Sequence, residues 1–442
     1  MIQPLVYVIV INWNGREHLD GCFSSLLEST CVNARFLLVD NASTDGSAEF
    51  VREFFGGDPR VELLVLAQNL GWSGGNNAGI QWAMERGADY IFLLNNDTAT
   101  ATGAISLLVE AMERDERLGA LAPRMLLFDQ ADLLNSMGLR MSSIGAAWDI
   151  GIGRMDDPQR HRSEAIIGVC GGAMFLRASV LRETGLLPED FDIYLDDLDL
   201  CLRIWNAGYL IMSCPEAAVR HKFSATMGEG LRTRCKYFLN TRNRFRILLR
   251  HFPLSSLSRV LPRLLLGEAR AIGRSLVLGE AWRVLAHVRA WLATLVYLPT
   301  ALRFRHAHPT SGKPAFWNLV TDAPQFCPHV VLPEEGWYLP ITWNGERLRP
   351  MARRATLELS PGPLQVRLVN CYPAVGVARI VVVTGETLLA DLATESTAEA
   401  AFDFPGGALT IRAESAFCRE DTGLDYDAGA WIQVTREGNS LI

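Results

Sequence analysis

DYIFLLNNDT, residues 89–98, is the stretch whose reading decides the fold. Its apolar run, Tyr90 to Leu94, is too short for a helix and reads as a strand buried on both faces. The run stops at Asn95-Asn96-Asp97, where a carboxylate follows directly on core residues. In an open α/β sheet, ligands bind beyond the carboxyl ends of the strands, so Asp97 stands where chemistry is placed. A carboxylate there suits a hard divalent cation that in turn holds a diphosphate. Asp97-Thr98 also precedes the helix-like run from Ala101, so a capping role is open as well.

Working outward, strand–helix alternation covers the first hundred residues. Leu5–Ile11 reads as strand one and ends in Asn12-Trp13-Asn14-Gly15; a helix is expected from about Arg16 to Ser29. Phe36–Val39 is strand two and runs into VDNASTDGS (39–47), again ending on a carboxylate, Asp40. Val61–Leu66 is strand three, followed by the Gly- and Asn-rich QNLGWSGGNNAGI (68–80), read as a loop that opens a helix over 77–86. This spacing predicts a mostly parallel, doubly wound sheet in which Asp40, Asn69 and Asn95/Asp97 converge on one edge. The Gly-rich loop could present backbone N–H groups to phosphate, or Gly71, Gly74 and Gly75 could simply supply a turn. There is no GxGxxG after strand one and no GxxxxGK[ST], which argues against dinucleotide oxidoreductases and P-loop kinases.

A second acidic cluster lies in PEDFDIYLDDLDLCLRIWNAGY (188–209), where Asp196, Asp197 and Asp199 open a helical pattern with Leu198, Leu202 and Trp205 inward. Acids favour a helix N-terminus, but three exceed what capping needs. Arg203 is placed to pair with Asp196 or Asp199, which leaves Asp197 as a candidate general base.

These segments, VIVINWNG (8–15), VDNASTDGS (39–47), NLGWSGGNNAGI (69–80), LLNNDT (93–98), YLDDLDLCLR (194–203) and His221, resemble the family-2 inverting glycosyltransferases of the GT-A fold, in particular their bacterial rhamnosyltransferase-like branch. The resemblance spans roughly residues 1–250. It implies that Asp40 reads the pyrimidine edge of a nucleotide and that Asn69 lies along the nucleotide or diphosphate. Asn12, Asn14, Gly75, Asn77, Asn95 and Asn96 are expected on the same donor side. Asp97 matches the last carboxylate of the family's metal-binding DxD, His221 a histidine that joins the metal, and Asp197 the base of the acidic pair, with Asp196, Asp199 and Arg203 supporting it. Two positions depart from the pattern: Asn95 replaces the first Asp of DxD, and Asp196 replaces the more usual Glu. The cofactor implied is Mn²⁺ or Mg²⁺, a mixed carboxylate–imidazole site favouring Mn²⁺. The reaction implied is transfer of a sugar, rhamnose in this branch, from a nucleoside diphosphate to a glycan or lipid-linked acceptor in cell-surface polysaccharide synthesis. Two rival readings fit the residues less well. A sugar-1-phosphate nucleotidylyltransferase would want a basic Gly-rich signature after strand one, and a non-catalytic glycan-binding scaffold would not need Asp97, Asp197 and His221.

The rest of the chain differs in texture. Of its 442 residues, those from Leu231 to His308 carry fifteen Lys/Arg against two acids, a local excess of +13 within a chain total of −7, so the remainder carries −20. This block is helical in period and Leu-rich, which favours an anionic membrane surface over nucleic acid as its partner. No apolar run approaches the roughly 18–20 residues of a membrane span. The nine cysteines form no CxxC, and the amino terminus has no basic n-region before its strand. A cytoplasmic protein, peripheral on the inner membrane face, is therefore expected. From about Thr310, short alternating segments punctuated by Gly and Pro read as an antiparallel β-sandwich, with Trp337, Tyr338, Trp343 and Trp431 as core or as a sugar platform. The expected division is a catalytic domain over 1–252, amphipathic helices over 253–309 and the sandwich over 310–442.

Overall fold

The structure, a computed structural model, describes residues 3–31, 33–128, 130–152, 156, 161–222, 231–277, 279–308, 315–321, 341–343, 346–351, 354–371, 377–414, 430–436 and 439–440. Two compact units divide it, residues 1–324 and 325–442, so the sequence-based boundaries at 252 and 309 both fall inside the first unit.

In the first unit the apolar runs form strands β1 (Val6–Asn12), β2 (Ala34–Asp40), β3 (Val61–Val65) and β4 (Tyr90–Asn95). These four are parallel, in the order β3-β2-β1-β4. Helices α1 (Arg16–Leu27), α2 (Ser47–Phe54) and α3 (Gly71–Glu85) cover them. Beyond β4 come β5 (Thr98–Thr100), helix α4 (Ala104–Glu113), β6 (Leu118–Leu127) and β7 (Gln130–Ser136). A small hairpin, β8 (Leu139–Met141) and β9 (Ala147–Asp149), precedes β10 (Ala173–Arg177) and helices α5 (Ala178–Thr184) and α6 (Asp196–Asn206). β11 (Leu210–His221) completes a nine-stranded sheet. The sheet is mixed: β10 runs antiparallel to both β4 and β6, while β11 pairs parallel with β6. β11 continues past a register break between Cys214 and Ala218. Pro215, which has no N–H for the ladder, lies in that break.

The register fixes the working edge. Asn12 pairs with Asp40 across β1 and β2, and Asn95 lies opposite Ile11 across β1 and β4. The ends of β2, β1 and β4, Asp40, Asn12 and Asn95, therefore stand side by side, and Asn69, expected with them after β3, joins the edge through Asn41. The Gly-rich stretch is a correction: Gly71 to Gly75 already belong to α3 and form no loop. Gly71 takes a positive φ, 74°, at the helix entry, and close packing explains Gly75 and Gly79. A Cβ at Gly75 would lie 2.3 Å from Ile11 Cδ1, and one at Gly79 would lie 2.6 Å from Ile9 Cγ2 and 2.8 Å from Val39 Cγ2.

Three longer helices follow: α7 (Leu231–His251), α8 (Leu254–Val277) and α9 (Ala281–Ala307). α7 is joined to α8 and α9 by a buried polar cluster. Glu268 accepts from His287 Nδ1 (2.7 Å) and Trp291 Nε1 (3.1 Å), and Arg244 pairs with the same carboxylate. Tyr237 of α7 closes it through its hydroxyl to His287 Nε2, at 2.6 Å. Among the described residues α9 is the one helix with the length and composition to cross a membrane, which the sequence reading did not anticipate. Its Arg283, His287 and Tyr297 are buried against the protein.

The second unit holds a six-stranded and a four-stranded sheet, both antiparallel, as expected for the β-sandwich. Trp431 is fully buried there and offers no sugar platform. Trp337 and Tyr338 lie outside the described residues.

Gly79→Ala separates close approach from helix flexibility. An exposed helix glycine gains about 1 kcal/mol on becoming Ala, whereas overpacking two rigid β-branched neighbours costs about 1–3 kcal/mol. A lowered thermal midpoint is expected; a raised one would show that α3 does not press on β1 and β2.

Candidate functional site

The strand-end asparagines knit the edge together. Asn96 Nδ2 donates to Asn12 Oδ1 (2.6 Å), and Asn12 Nδ2 donates to Ser43 Oγ (3.2 Å). Asn14, in the left-handed region at φ 51°, accepts the Thr44 N–H at 2.7 Å. Asn41 Nδ2 donates to Asn69 Oδ1 (3.0 Å) and its Oδ1 accepts from Leu70 N (2.8 Å). Asp40 Oδ1 accepts the Ser43 N–H at 2.7 Å, but its buried Oδ2 has no partner among the described residues. An unsatisfied buried acceptor costs on the order of 1–3 kcal/mol, so this oxygen is poised for a donor from outside the chain. Gly75 and Asn77 take other duties than ligand contact. Gly75 packs on Ile11, while Asn77 is buried and exchanges hydrogen bonds with the Leu187 backbone at 2.9 and 3.0 Å.

Past the end of β4, a chain of hydrogen bonds fixes one imidazole. Trp72 Nε1–H donates to Asn95 Oδ1 (3.1 Å), and Asn95 Nδ2 lies 3.4 Å from His221 Nε2. On its far side His221 Nδ1 lies 2.7 Å from Asn135 Oδ1, which can only accept, so Nδ1 carries a proton and Nε2 is the nitrogen turned to the site. Nε2 lies 3.3 Å from Asp97 Oδ1, a buried oxygen without a hydrogen-bond partner among the described residues. Burial opposes ionisation of Asp97, but hydrogen bonding and positive charge from His221 more than offset this and hold the carboxyl below its usual range. A cation in the place of a proton on Nε2 would be met by both atoms. Among the described residues no group of three or more His, Cys, Asp and Glu side chains gathers into a closed metal site. Asp97 and His221 thus form an open two-ligand arrangement, suited to a cation that shares its remaining positions with a substrate's oxygens. Asn135, on β7, could not have been found from sequence; only folding brings it to His221.

Asp196 and Asp197 open α6 and differ in surroundings. Asp196 is buried and accepts the Ser73 hydroxyl at 2.6 Å; burial pushes its carboxyl up to about 6. Asp197 is more exposed and accepts the Gly171 N–H at 2.9 Å; burial and then the neighbouring Asp196 push it up to about 7. A carboxylate half-ionised near neutrality is suited to taking a proton. Asp199 and Arg203 stand elsewhere. Asp199 is fully buried between Arg203 Nε (3.0 Å), Arg250 Nη1 (3.1 Å) and His251 Nε2 (2.8 Å), while Arg203 also donates to the Thr184 and Leu186 carbonyls. These two residues anchor α6 from behind.

The two centres meet at Gly171-Gly172, ahead of β10. Gly172 passes so close to His221 that a Cβ would lie 3.3 Å from its Cε1, and the Gly172 carbonyl accepts the Asn95 N–H at 3.1 Å. A Cβ at Gly171 would lie 2.8 Å from Trp72 and 3.4 Å from Asp197 Oδ2.

An α/β sheet with these polar side chains gathered beyond its strand ends has the layout of a ligand-binding edge. Residues 7–185 match the family model for Glycosyl transferase family 2, so the chain carries a family-2 glycosyltransferase domain. It is 27% identical over 245 residues to the N-acetylglucosaminyl-diphospho-decaprenol L-rhamnosyltransferase of Mycobacterium tuberculosis, covering 50% of this chain and 77% of that one. It is 28% identical over 263 residues to an N-acetylglucosaminyltransferase of Neorhizobium galegae, covering 57% of each. Among solved structures it is similar to a mannosyltransferase from Pyrobaculum calidifontis in complex with GDP-Man and Mn2+, with a TM-score of 0.42 and 16% identity over 67% of this chain and 87% of that one.

Proposed function

We propose that the protein transfers a sugar, with inversion, from a nucleoside diphosphate to a glycan or lipid-linked acceptor in cell-surface polysaccharide synthesis. Rhamnose is the first candidate sugar, after the mycobacterial relative. The observation that carries the reading is the glycine pair, which sets the Asp97/His221 pair and Asp197 against successive residues.

In this reading Asp40 Oδ2 takes a donor from the nucleotide base, while Asn12, Asn14 and Asn96 hold the strand-end loops around it. Asp97 and His221 Nε2 would hold Mn²⁺ or Mg²⁺. When bound, such an ion supplies positive charge against the developing diphosphate. Asp197 accepts the proton of the acceptor hydroxyl as its oxygen attacks the anomeric carbon and the bond to the diphosphate breaks. A single displacement inverts that carbon. Ser73 and the Gly171 N–H hold the two carboxylates apart in role, one tethered in the interior and one open to an acceptor.

α8 and α9 in turn rest on an anionic membrane surface in this account. α9 exposes Leu285, Val288, Leu292, Leu295 and Leu302, three, four, three and seven residues apart, and α8 exposes Leu254, Leu261, Leu265 and Leu276. Arg259, Arg270, Arg274, Arg289 and Arg303 are exposed among them. Apolar residues at helical spacing, interleaved with arginine, suit the boundary between headgroups and acyl chains.

Asp97→Asn or His221→Ala should weaken Mn²⁺-dependent binding of donor as well as turnover, read by calorimetry and initial rates. Asp197→Asn should leave donor affinity nearly intact while turnover falls roughly 10²–10⁴-fold. Because Asp197 must be ionised to act, parent turnover should climb as pH rises through about 7. Loss of donor binding in Asp197→Asn, with Asp97→Asn unaffected, would reverse the two roles.

Vesicle flotation tests the surface. Binding to anionic vesicles should weaken with salt, each arginine contributing up to about 1 kcal/mol, and should be lost in Leu292→Asp/Leu295→Asp. Equal flotation with neutral lipid would contradict the electrostatic part, and no flotation would contradict the whole.

A further inference from the structure

The turn that delivers Asp196 and Asp197 is strained. Five non-glycine residues among those described have positive φ, and three of them fall here: Asp192 (62°), Tyr194 (73°) and Leu195 (61°). A side chain with a Cβ resists the left-handed region, and tyrosine and leucine have no short polar group to compensate locally. Leu195 is nonetheless the N-cap of α6, with no side-chain cap bond, so the direction in which the helix launches its two aspartates is set by this turn. Such a conformation persists only when surrounding contacts over-determine it.

Those contacts come from two adjacent side chains on α7, and only Asn243 reaches the Ile193 and Tyr194 carbonyls next to Leu195. The two N–H groups of Asn243 Nδ2 are shared among three carbonyls, those of Phe191 (2.8 Å), Ile193 (3.0 Å) and Tyr194 (2.8 Å). Its own orientation is fixed, because Asn243 Oδ1 accepts from Arg242 Nε at 2.9 Å. Arg242 adds a bond to the Phe191 carbonyl (2.7 Å) and an ion pair with Asp192 (2.8 Å). Asn243 is fully buried, so water cannot replace it at these carbonyls. The body of α6 is held independently, one turn further on, where Asp199 meets Arg203, Arg250 and His251. Removing the Asn243 amide therefore leaves the helix anchored and frees only its first turn.

We infer that Asn243 is the positioning residue for the base: its amide clamps the left-handed turn at 192–195 and thereby holds Asp197 where Gly171 and the acceptor meet it. This rests on the reading of Asp197 as base. Asn243 touches neither donor nor acceptor in this arrangement and acts through the backbone it holds.

The test measures nucleoside diphosphate release from thymidine and uridine diphospho-rhamnose by the full-length protein, beside calorimetric binding of the same donors. Asn243→Ala should lower kcat roughly 10–100-fold, as a misplacement of about 1 Å does, with donor affinity within about twofold of the parent. The acidic limb of its pH–rate profile should move toward the ordinary carboxylate range, since a freed Asp197 is better hydrated. Should Asn243→Ala fail to fold, Asn243→Asp keeps the shape and the Arg242 contact while removing the donor, and the same losses are expected. Adding Leu195→Gly to Asn243→Ala should recover part of kcat, because glycine holds a positive φ without the clamp. A folded Asn243→Ala with parental kcat and pH profile, or one that loses donor affinity and kcat together, would overturn the inference. Asp197→Asn is the control that separates the two claims. Parental turnover in Asp197→Asn would remove the base itself, whereas an inactive Asp197→Asn beside a parental Asn243→Ala would remove only the clamp.

Discussion

Two buried carboxylate oxygens without partners govern this structure. Asp40 Oδ2 ends β2 and Asp97 Oδ1 lies just past β4, on either side of β1. Each costs free energy that the fold alone does not return, on the order of 1–3 kcal/mol for an unmade bond. The surrounding asparagine network satisfies its own amides among Asn12, Asn41, Asn69 and Asn96 and leaves these two oxygens open. The chain has therefore kept an unpaired negative edge, which is what a base N–H and a cation would complete.

Opposite that edge the same physics works with another sign. Burial lifts Asp196 and Asp197 to values where a proton can be exchanged near neutrality. Asp199, in the same helix turn, is driven well below the usual range, its burial outweighed by Arg203, His251 and Arg250. Three aspartates within four residues thus serve as tethered partner, base and anchor. Their neighbours, which lie as far away in sequence as Ser73 and His251, decide which is which.

The parallel strands were legible because buried strands in such sheets are continuous apolar runs, and each stopped at a polar residue that marks the ligand edge. Asp40, Asn95, Asp97, Asp197 and His221 stood out as candidates for that reason or through family motifs. The misread parts share one cause: their roles are set by contacts distant in sequence. Gly75 looked like a loop or phosphate glycine but, like Gly79 further along α3, leaves room for strand side chains, Ile11 at the first and Ile9 and Val39 at the second. Arg203 does pair with Asp199, one of the two pairings open in the sequence, but Arg250 and His251, which also claim Asp199, lie some fifty positions on and left no local sign. Asn135, Gly171, Gly172 and Asn243 carry no local signature, and the mixed part of the sheet around β6 to β10 has no regular alternation to announce it.

The central claim is that Asp97 and His221 Nε2 share a divalent cation across the glycine pair from Asp197. Anomalous diffraction from crystals grown with Mn²⁺ and a nucleoside diphosphate measures this directly. A manganese peak within ligand distance of Asp97 and His221 Nε2, with Asp197 outside its coordination shell, is the result the account predicts. A nucleotide-bound crystal with the manganese on Asp197, or with no manganese beside Asp97, would contradict it.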